Sequence, residues 1–425
     1  PIYSREGIIL LLGIQHAPLV FLTVRAGLRQ LPGELVETAY VFGASTGQAL
    51  RRVVLPMLAP AMIAGTALAF VSAIGNFGIA AFLGIPAGHT LLPVLIYQRL
   101  ASFGPQVIAE IAVLSVLVGV IAYAGVLVQT WLLRRRDVAS LEGATKPYRI
   151  ELGRARPWVE VAAWLLVGLF LVLPLLALVA TSLVPAYGVR LGPTTATLAN
   201  YAEVLFEQDV TRRAFANSTL LAGGAALTLA CMALPLGYFI VWKQNPLARA
   251  LRPLIELPYA LPGVVLGVAC ILIFLRPLPV LGFSIYGTLW IIFAAYLARF
   301  LTLALTPVLA GYQQIDRTID DAAQIDGAGV VTRLRLVILP LLAAPAAAGA
   351  LLVFMTAYNE LTVSALLWSS GTETLGVVVF NLEDGGYTVL ASAVAVLCLL
   401  AVLTIVGALQ LLDHRYRLGV LPWSA

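Results

Sequence analysis

Two stretches of twenty residues carry the same pattern of acidic, small and basic side chains: ETAYVFGASTGQALRRVVLP at 37–56 and DAAQIDGAGVVTRLRLVILP at 321–340. Each opens on an acidic residue, reaches a glycine six positions later and closes on Leu-Pro, and every matched pair is 284 residues apart. Neither stretch contains the His or Cys of a Ser/His/Asp or Cys/His catalytic set. The small residues suit close contact with a partner surface, so the pattern predicts a docking element that occurs twice.

The first stretch and the residues before it predict a short surface helix, a sharp turn and a second helix. Pro32 suits the first turn of a helix, and Gly43 suits a left-handed stop. Ser45 and Gln48 form a capping box for the next helix. One apolar face is expected from three residues at helical spacing: Leu35, Ala39 and Phe42. The exposed face would then consist of Ala and Gly, which a partner can approach closely.

An amphipathic elbow lying on the membrane surface would explain a single copy of this pattern equally well. Two copies in one unbroken register favour docking.

No nucleotide-binding or catalytic motif is recognisable in the sequence. Lys146 and Lys243 follow Thr145 and Trp242, so neither belongs to the glycine-rich phosphate loop GxxxxGK[ST]. The three cysteines lie in apolar runs and predict neither a disulfide framework nor a metal site: Cys231, Cys270 and Cys398. We therefore expect no catalytic residue, no metal site and no cofactor bound by this chain.

The composition is that of a membrane protein. Hydrophobic residues make up 61% of the chain and charged residues 11%, whereas soluble domains have about 25% charged residues. Nine charge-free runs are long enough to cross a bilayer as helices: 7–24, 53–75, 111–133, 161–189, 214–242, 257–275, 277–298, 336–359 and 385–412. The fold class is therefore predicted to be an all-α, polytopic transmembrane helical bundle.

The basic residues predict the orientation. With the segment around Arg51 in the cytoplasm, 19 of the 26 basic residues fall in cytoplasmic loops and 5 in the opposite loops. Six spans separate the two stretches, so both face the cytoplasm and the repeats are parallel, unlike the inverted repeats of many secondary transporters. The net charge of +5 reflects this loop asymmetry and does not predict a nucleic-acid partner.

The same register predicts the domain organisation. Residues 1–133 would be the C-terminal part of a first half with three spans, 134–157 a charged cytoplasmic linker, and 158–425 a second half with six spans. Three spans after Trp158 have no counterpart in the first half. We therefore expect about three more spans upstream and about twelve in the intact chain.

The repeated pattern resembles the E-A-A-x3-G…L-P loop of binding-protein-dependent ABC importer permeases. Two such loops in one chain resemble the fused permeases in which both halves form one polypeptide, and the resemblance covers essentially the whole chain. It departs from the usual pattern at Thr38, where Ala is common, and at Asp321, where Glu is common. The resemblance implies a type I ABC importer permease fold in which each loop is a coupling helix that docks in a cleft of an ATPase.

The resemblance also implies site residues and partners. The ATPase-coupling residues would be Glu37, Thr38, Ala39, Gly43, Asp321, Ala322, Ala323 and Gly327. The partners would be two copies of a cytoplasmic ABC ATPase, which would bind ATP and Mg, a periplasmic substrate-binding protein and the lipid bilayer. The chain would be a multi-pass protein of the bacterial inner membrane.

The substrate is less strongly indicated. The stretch 358–393 looks most like the ferric-iron permeases, and thiamine, polyamine and phosphonate permeases of the fused type are the alternatives. Five residues are hypothesised to line the translocation pathway: Asn76, Arg299, Tyr358, Asn359 and Glu360. A structural role is the leading interpretation for Arg299, paired with an acid such as Glu256 or Glu360, because an unpaired arginine in a span is costly.

Pro258, Pro262 and Gly263 in ELPYALPG at 256–263 predict a break or kink in a helix. An ATP-independent secondary transporter is the alternative functional class, and the repeated docking pattern argues against it.

Overall fold

The computed structural model describes residues 2–102, 104, 106–134, 153–277 and 282–416. The regular elements in these ranges are helices, without a strand. The chain divides into two compact units, Pro1–Leu176 and Ala177–Ala425. Most of the predicted linker at 134–157 lies outside the described residues, and the predicted division into permease halves stays a prediction.

The first unit contains six complete helices and the start of a seventh. They are α1 (Arg5–Gln30), α2 (Gly33–Val41), α3 (Thr46–Ile74), α4 (Phe77–Gly84), α5 (Leu92–Leu100), α6 (Val107–Arg134) and α7 (Gly153–Ser182). Helix α7 begins in the first unit and ends in the second. Helix α3 packs against both α1 and α6.

The second unit is built around three long helices that pack on one another, α9, α12 and α14. Its helices are α8 (Ala199–Ala202, continued by a π turn), α9 (Asp209–Trp242), α10 (Pro246–Ala260), α11 (Gly263–Phe274), α12 (Leu289–Gln314), α13 (Thr318–Ile325), α14 (Val330–Tyr358), α15 (Thr362–Leu367), α16 (Leu375–Asp384) and α17 (Thr388–Tyr416).

The sequence repeat extends far beyond the two twenty-residue stretches. Helices α1 and α12 begin and end 284 residues apart, and so do α3 and α14. Even a wide π turn recurs in the same register, at Leu50–Val54 in α3 and Leu334–Ile338 in α14. One structural plan is therefore built twice, and the two copies can be compared position by position.

Eight described helices are long and apolar enough to cross a membrane, and the pair α10 and α11 makes a ninth if it counts as one broken span. The two helices of this pair meet at an angle of 110°. The break falls at Leu261 and Pro262, which confirms the interruption predicted from the prolines of ELPYALPG. The predicted all-helical, polytopic fold is confirmed.

One predicted span is misplaced. The charge-free run at 277–298 suggested a helix there, whereas α12 begins at Leu289 after a Thr288 cap and runs to Gln314. Gly282 and Gly287 adopt positive φ angles, so the helix begins only after them. The charge-free run stops before Arg299, whereas α12 continues through this residue, whose charge is paired with Glu360.

Candidate docking site and an ion-paired helix break

The first repeated loop, residues 33–49, turns sharply at Gly43. The backbone of Gly43 has φ 79°. Its N–H donates to the carbonyl of Tyr40 at 2.9 Å, and the N–H of Ala44 donates to the carbonyl of Ala39 at 3.0 Å. This pair of bonds is the Schellman ending of a helix. The capping box of Ser45 and Gln48 then starts α3, as predicted.

The second repeated loop, residues 317–333, has the same turn. Gly327 also has φ 79°, its N–H donates to Gln324 at 3.0 Å, and Ala328 donates to Ala323 at 3.0 Å. A Cβ atom added at either turn glycine would meet no atom within 4 Å. The left-handed backbone is therefore the structural reason for glycine at both positions.

The exposed surface of each loop includes larger and more apolar side chains than the Ala and Gly predicted from the sequence. The predicted docking residues Glu37, Thr38, Asp321 and Ala322 are exposed, whereas Ala39 and Ala323 are half-buried. Val41, Phe42 and Ile325 are each 85% exposed. The prediction that Phe42 lies on the inner apolar face is wrong, since the helix ends at Val41 and Phe42 is exposed.

An apolar cluster holds the first repeated loop against α3. Its buried members are Leu31, Val36, Ala49, Val54 and Leu58. Val36, at 1% exposure, is the buried apolar side chain of α2, whereas Leu35 is half-buried. The loop is therefore attached by hydrophobic packing.

A buried polar cluster holds the second repeated loop. Asp320 on α13 is 0% exposed and Arg333 on α14 is 3% exposed, and the distance between Arg333 Nε and Asp320 Oδ1 is 3.4 Å. The hydroxyl of Tyr238, at the end of α9, donates to Asp320 Oδ2 at 3.2 Å and accepts from Arg333 Nη2 at 3.0 Å. Arg333 also donates to Gln324 at 2.8 Å.

Sequence reasoning missed this cluster. By sequence, Arg333 is one of the basic residues of the cytoplasmic loops, whereas in the structure its side chain is buried. The available signal was the repeat itself, because Asp320 and Arg333 are charged where the first copy has Val36 and Ala49.

A further hydrogen bond to a carboxylate lies at the start of α13, outside the buried polar cluster. The backbone N–H of Thr318 donates to Asp316 Oδ1 at 2.9 Å. This hydrogen bond favours the ionised form and lowers the pKa of Asp316 below its usual value.

The helix break after α14 is capped by Glu360. The carboxylate of this residue accepts hydrogen bonds from the backbone N–H groups of Val363 and Ser364, at 2.9 and 3.0 Å, and from the Ser364 hydroxyl at 3.2 Å. Glu360 is 8% exposed. A buried carboxylate at the N-terminus of α15 satisfies backbone donors that would otherwise have no partner.

Arg299 of α12 is the ion-pair partner of Glu360. The distance from Arg299 Nη1 to Glu360 Oε1 is 3.6 Å, which confirms one of the two predicted partners. The other candidate, Glu256, pairs with Arg252 at 2.8 Å. A Cβ atom on Gly263 would collide with Arg299 Nη1, so the glycine at the start of α11 leaves room for the guanidinium.

The first unit contains a neutral version of the same arrangement. Asn76 Nδ2 donates to Gln15 Oε1 at 2.9 Å, and Asn76 Oδ1 accepts from the N–H of Ile79 at 2.9 Å. Gln15 and Asn76 stand 284 residues before Arg299 and Glu360. Each repeat therefore connects the break at the end of its second long helix, α3 or α14, to its first long helix, α1 or α12, through paired side chains.

The remaining predicted pathway residues lie next to Glu360. Tyr358 is buried and its ring stacks on that of Phe354, with centroids 5.3 Å apart. Asn359 is exposed and donates to the carbonyl of Met355 at 3.1 Å. A role for these residues in translocation stays a prediction.

A sequence profile of one transporter family matches most of the chain. The family is described as "Binding-protein-dependent transport system inner membrane component", and the matched residues are 3–138 and 231–418. Each matched segment contains one repeated loop.

Individual relatives agree with this family. The chain is 30% identical over 420 residues to a probable ABC transporter permease, y4fN, of Sinorhizobium fredii, covering 95% of this chain and 71% of that protein. It is 26% identical over 396 residues to the ferric transport system permease FbpB of Actinobacillus pleuropneumoniae, covering 91% of this chain and 56% of that protein. A shorter segment is 38% identical over 112 residues to the sulfate transport system permease CysT of Salmonella typhimurium, covering 26% of this chain and 40% of that protein.

Among solved structures, a bacterial alginate ABC transporter in complex with a periplasmic protein has a similar fold. Its matching chain superposes with a TM-score of 0.50 at 18% identity, over 61% of this chain and 96% of that chain.

Proposed function

Because the chain belongs to the family of binding-protein-dependent transport system inner membrane components, we propose that it forms the translocation pathway of an ATP-driven importer of ferric iron. It is a multi-pass protein of the bacterial inner membrane and a permease subunit of the ABC importer type. We further propose which residues dock the ATPase, which subunits assemble with this chain and which substrate it transports.

The docking proposal is supported mainly by the turn that occurs twice, at Gly43 and at Gly327. Two loops in the same register end in the same left-handed glycine, and each presents an apolar tip, Val41 or Ile325, that is 85% exposed. A cytoplasmic ATPase is the partner that covers these tips. Two equivalent loops fit two copies of that ATPase, which would bind the ATP and Mg. The periplasmic binding protein docks at the opposite face.

Ferric iron is favoured as the substrate by the relatives. The ferric permease match extends over 91% of this chain, whereas the sulfate permease match covers 26%. The chain spans 56% of the length of that ferric relative. Glu383 and Asp384, at the end of α16, are accessible carboxylates compatible with a cation, whereas Glu373 is buried and lies 3.8 Å from Arg213. Thiamine, polyamine, phosphonate and sulfate remain the alternative substrates for the same machinery.

We also propose that the iron passes near the helix break. Carboxylate oxygen is a suitable ligand for a hard cation, and Glu360 would offer it a transient contact beside Tyr358 and Asn359. The ion pair of Glu360 with Arg299 and its capping of α15 support the competing structural role. The two roles are separated by the variants described in the Discussion.

Uptake in cells lacking the gene tests the substrate. We expect uptake of labelled ferric iron to fall in the deletion strain and to return with the full-length gene, while uptake of labelled sulfate and thiamine is unchanged. A strain carrying the gene for an unrelated permease is the control for expression. Normal iron uptake in the deletion strain, with loss of another labelled substrate, would contradict the proposal for iron and leave the permease assignment intact.

A further inference from the structure

The residues beneath the two repeated loops occupy equivalent positions but differ in chemistry. Beneath the second loop, Asp320 and Arg333 form a buried ion pair. At the equivalent positions of the first loop, Val36 and Ala49 are 1% and 2% exposed and belong to an apolar cluster. The same backbone is thus attached in two different ways.

A third matched position completes the exchange. Gln324 accepts a hydrogen bond from Arg333 at 2.8 Å. Its equivalent in the first loop is Tyr40, which packs against the apolar cluster. Where the second loop has an acid, an amide and a guanidinium, the first has two aliphatic side chains and an aromatic ring.

The polar cluster connects three separate elements of the second unit. Asp320 lies on the short helix α13, Arg333 on the first turn of α14, and Tyr238 near the end of α9. Each contributes at least one of the contacts, and Lys243 adds a longer one, with Nζ 3.9 Å from Asp320 Oδ2. These contacts attach α13 to the C-terminal end of α9 and to the N-terminal end of α14, and so fix its orientation.

We propose that the Asp320–Arg333 pair is a positioning device that holds the second docking helix in register with α9 and α14, and that the apolar set Val36, Tyr40 and Ala49 does the same for the first. The inference rests on the proposed function, because the helix it positions is the one proposed to dock the ATPase. Neither Asp320 nor Arg333 is itself a contact residue for the partner, since both are buried.

Burial makes the ion pair sensitive to the loss of one member. Removing either side chain leaves the other charge buried without its partner, which is strongly unfavourable, whereas replacing both by apolar groups is often neutral. The first loop supplies the apolar replacement that the backbone already accommodates. The two solutions are therefore expected to be interchangeable.

The test compares single changes with a transplant of the first-loop residues. The single variants are Asp320→Val and Arg333→Ala. The transplant combines Asp320→Val, Gln324→Tyr and Arg333→Ala with Tyr238→Phe, which removes a buried hydroxyl that would lose both partners. Arg335→Ala is the matched control, because Arg335 is an exposed cation two residues from Arg333. All variants are made in the full-length protein and purified from membranes.

We expect each single variant to co-purify with much less ATPase than wild type does. The ATPase that remains bound is expected to hydrolyse ATP with little accompanying uptake of labelled ferric iron. The transplant is expected to recover ATPase retention and the ratio of substrate transported to ATP hydrolysed, and Arg335→Ala to behave like wild type. Normal retention and coupling in the single variants would overturn the inference. A transplant as defective as the single variants, although equally abundant in the membrane, would also overturn it. Failure of the docking proposal itself looks different, because wild type would then retain no ATPase.

Discussion

Replacement of Gly327 by valine is expected to abolish transport while the protein still reaches the membrane. The backbone at this position has φ 79°, which costs a residue with a Cβ atom about 1–2 kcal/mol, and a β-branched residue fits it worst. Nothing within 4 Å would collide with the new Cβ atom, so the strain falls on the turn. The second repeated loop would lose the shape that it presents to the ATPase.

Asparagine at the same position is the matched control, because it tolerates the left-handed region. Gly327→Asn is expected to keep most of the transport, measured as ATP-dependent uptake at equal membrane abundance. Gly43→Val should resemble Gly327→Val, because the two turns have the same left-handed backbone. If Gly327→Val retains both ATPase association and uptake, the docking assignment is wrong.

Glu360→Gln is expected to reduce both the abundance of the protein and its uptake activity. The change leaves Arg299, whose side chain is 21% exposed, beside a neutral amide in a span. Breaking a fully buried ion pair costs about 3–5 kcal/mol, and the residual exposure of Arg299 places this pair toward the lower end. A glutamine oxygen can still accept the N–H of Val363, so the cap is retained in part.

The first repeat supplies the compensating change for this pair. The double variant Arg299→Gln/Glu360→Asn recreates the Gln15–Asn76 pair and is expected to regain abundance. Glu256→Gln is the control, because Glu256 pairs with Arg252 at the surface, where such pairs contribute about 0.3–0.5 kcal/mol. Lost uptake at normal abundance and normal binding-protein-stimulated ATP hydrolysis would instead support the pathway role of Glu360. Unchanged uptake would remove Glu360 from both roles.

The parts of the structure that depend on local backbone chemistry were predictable from the sequence. Gly43 and Gly327 stand where a helix must stop, and both have the expected left-handed backbone. The capping box of Ser45 and Gln48 is present as predicted. The prolines of ELPYALPG end α10 and leave a 110° bend before α11. In each case a few neighbouring residues determine the conformation.

The parts that depend on distant partners were not predictable in the same way. By sequence Arg333 resembles an exposed loop cation, whereas in the structure it contacts Asp320 and Tyr238. Arg299 interrupted a charge-free run and so shortened a predicted span, although Glu360, far along the chain, compensates its charge. Phe42 fitted a helical apolar face by spacing, but the helix ends at Val41. Comparing the repeats by position would have marked the first two cases, because their equivalents are neutral.

Disulfide cross-linking from the loop tips tests the central claim most directly. Single cysteines are introduced as Val41→Cys or Ile325→Cys into full-length protein whose native cysteines, including Cys231, Cys270 and Cys398, are replaced by alanine. Tyr187→Cys provides an exposed control in the loop after α7, at the end of that helix opposite the predicted cytoplasmic linker. The ATPase carries a cysteine at the edge of its docking cleft. We predict cross-links to the ATPase from both tips and none from Tyr187→Cys. Efficient ATP-dependent uptake with no cross-link from either tip would contradict the account.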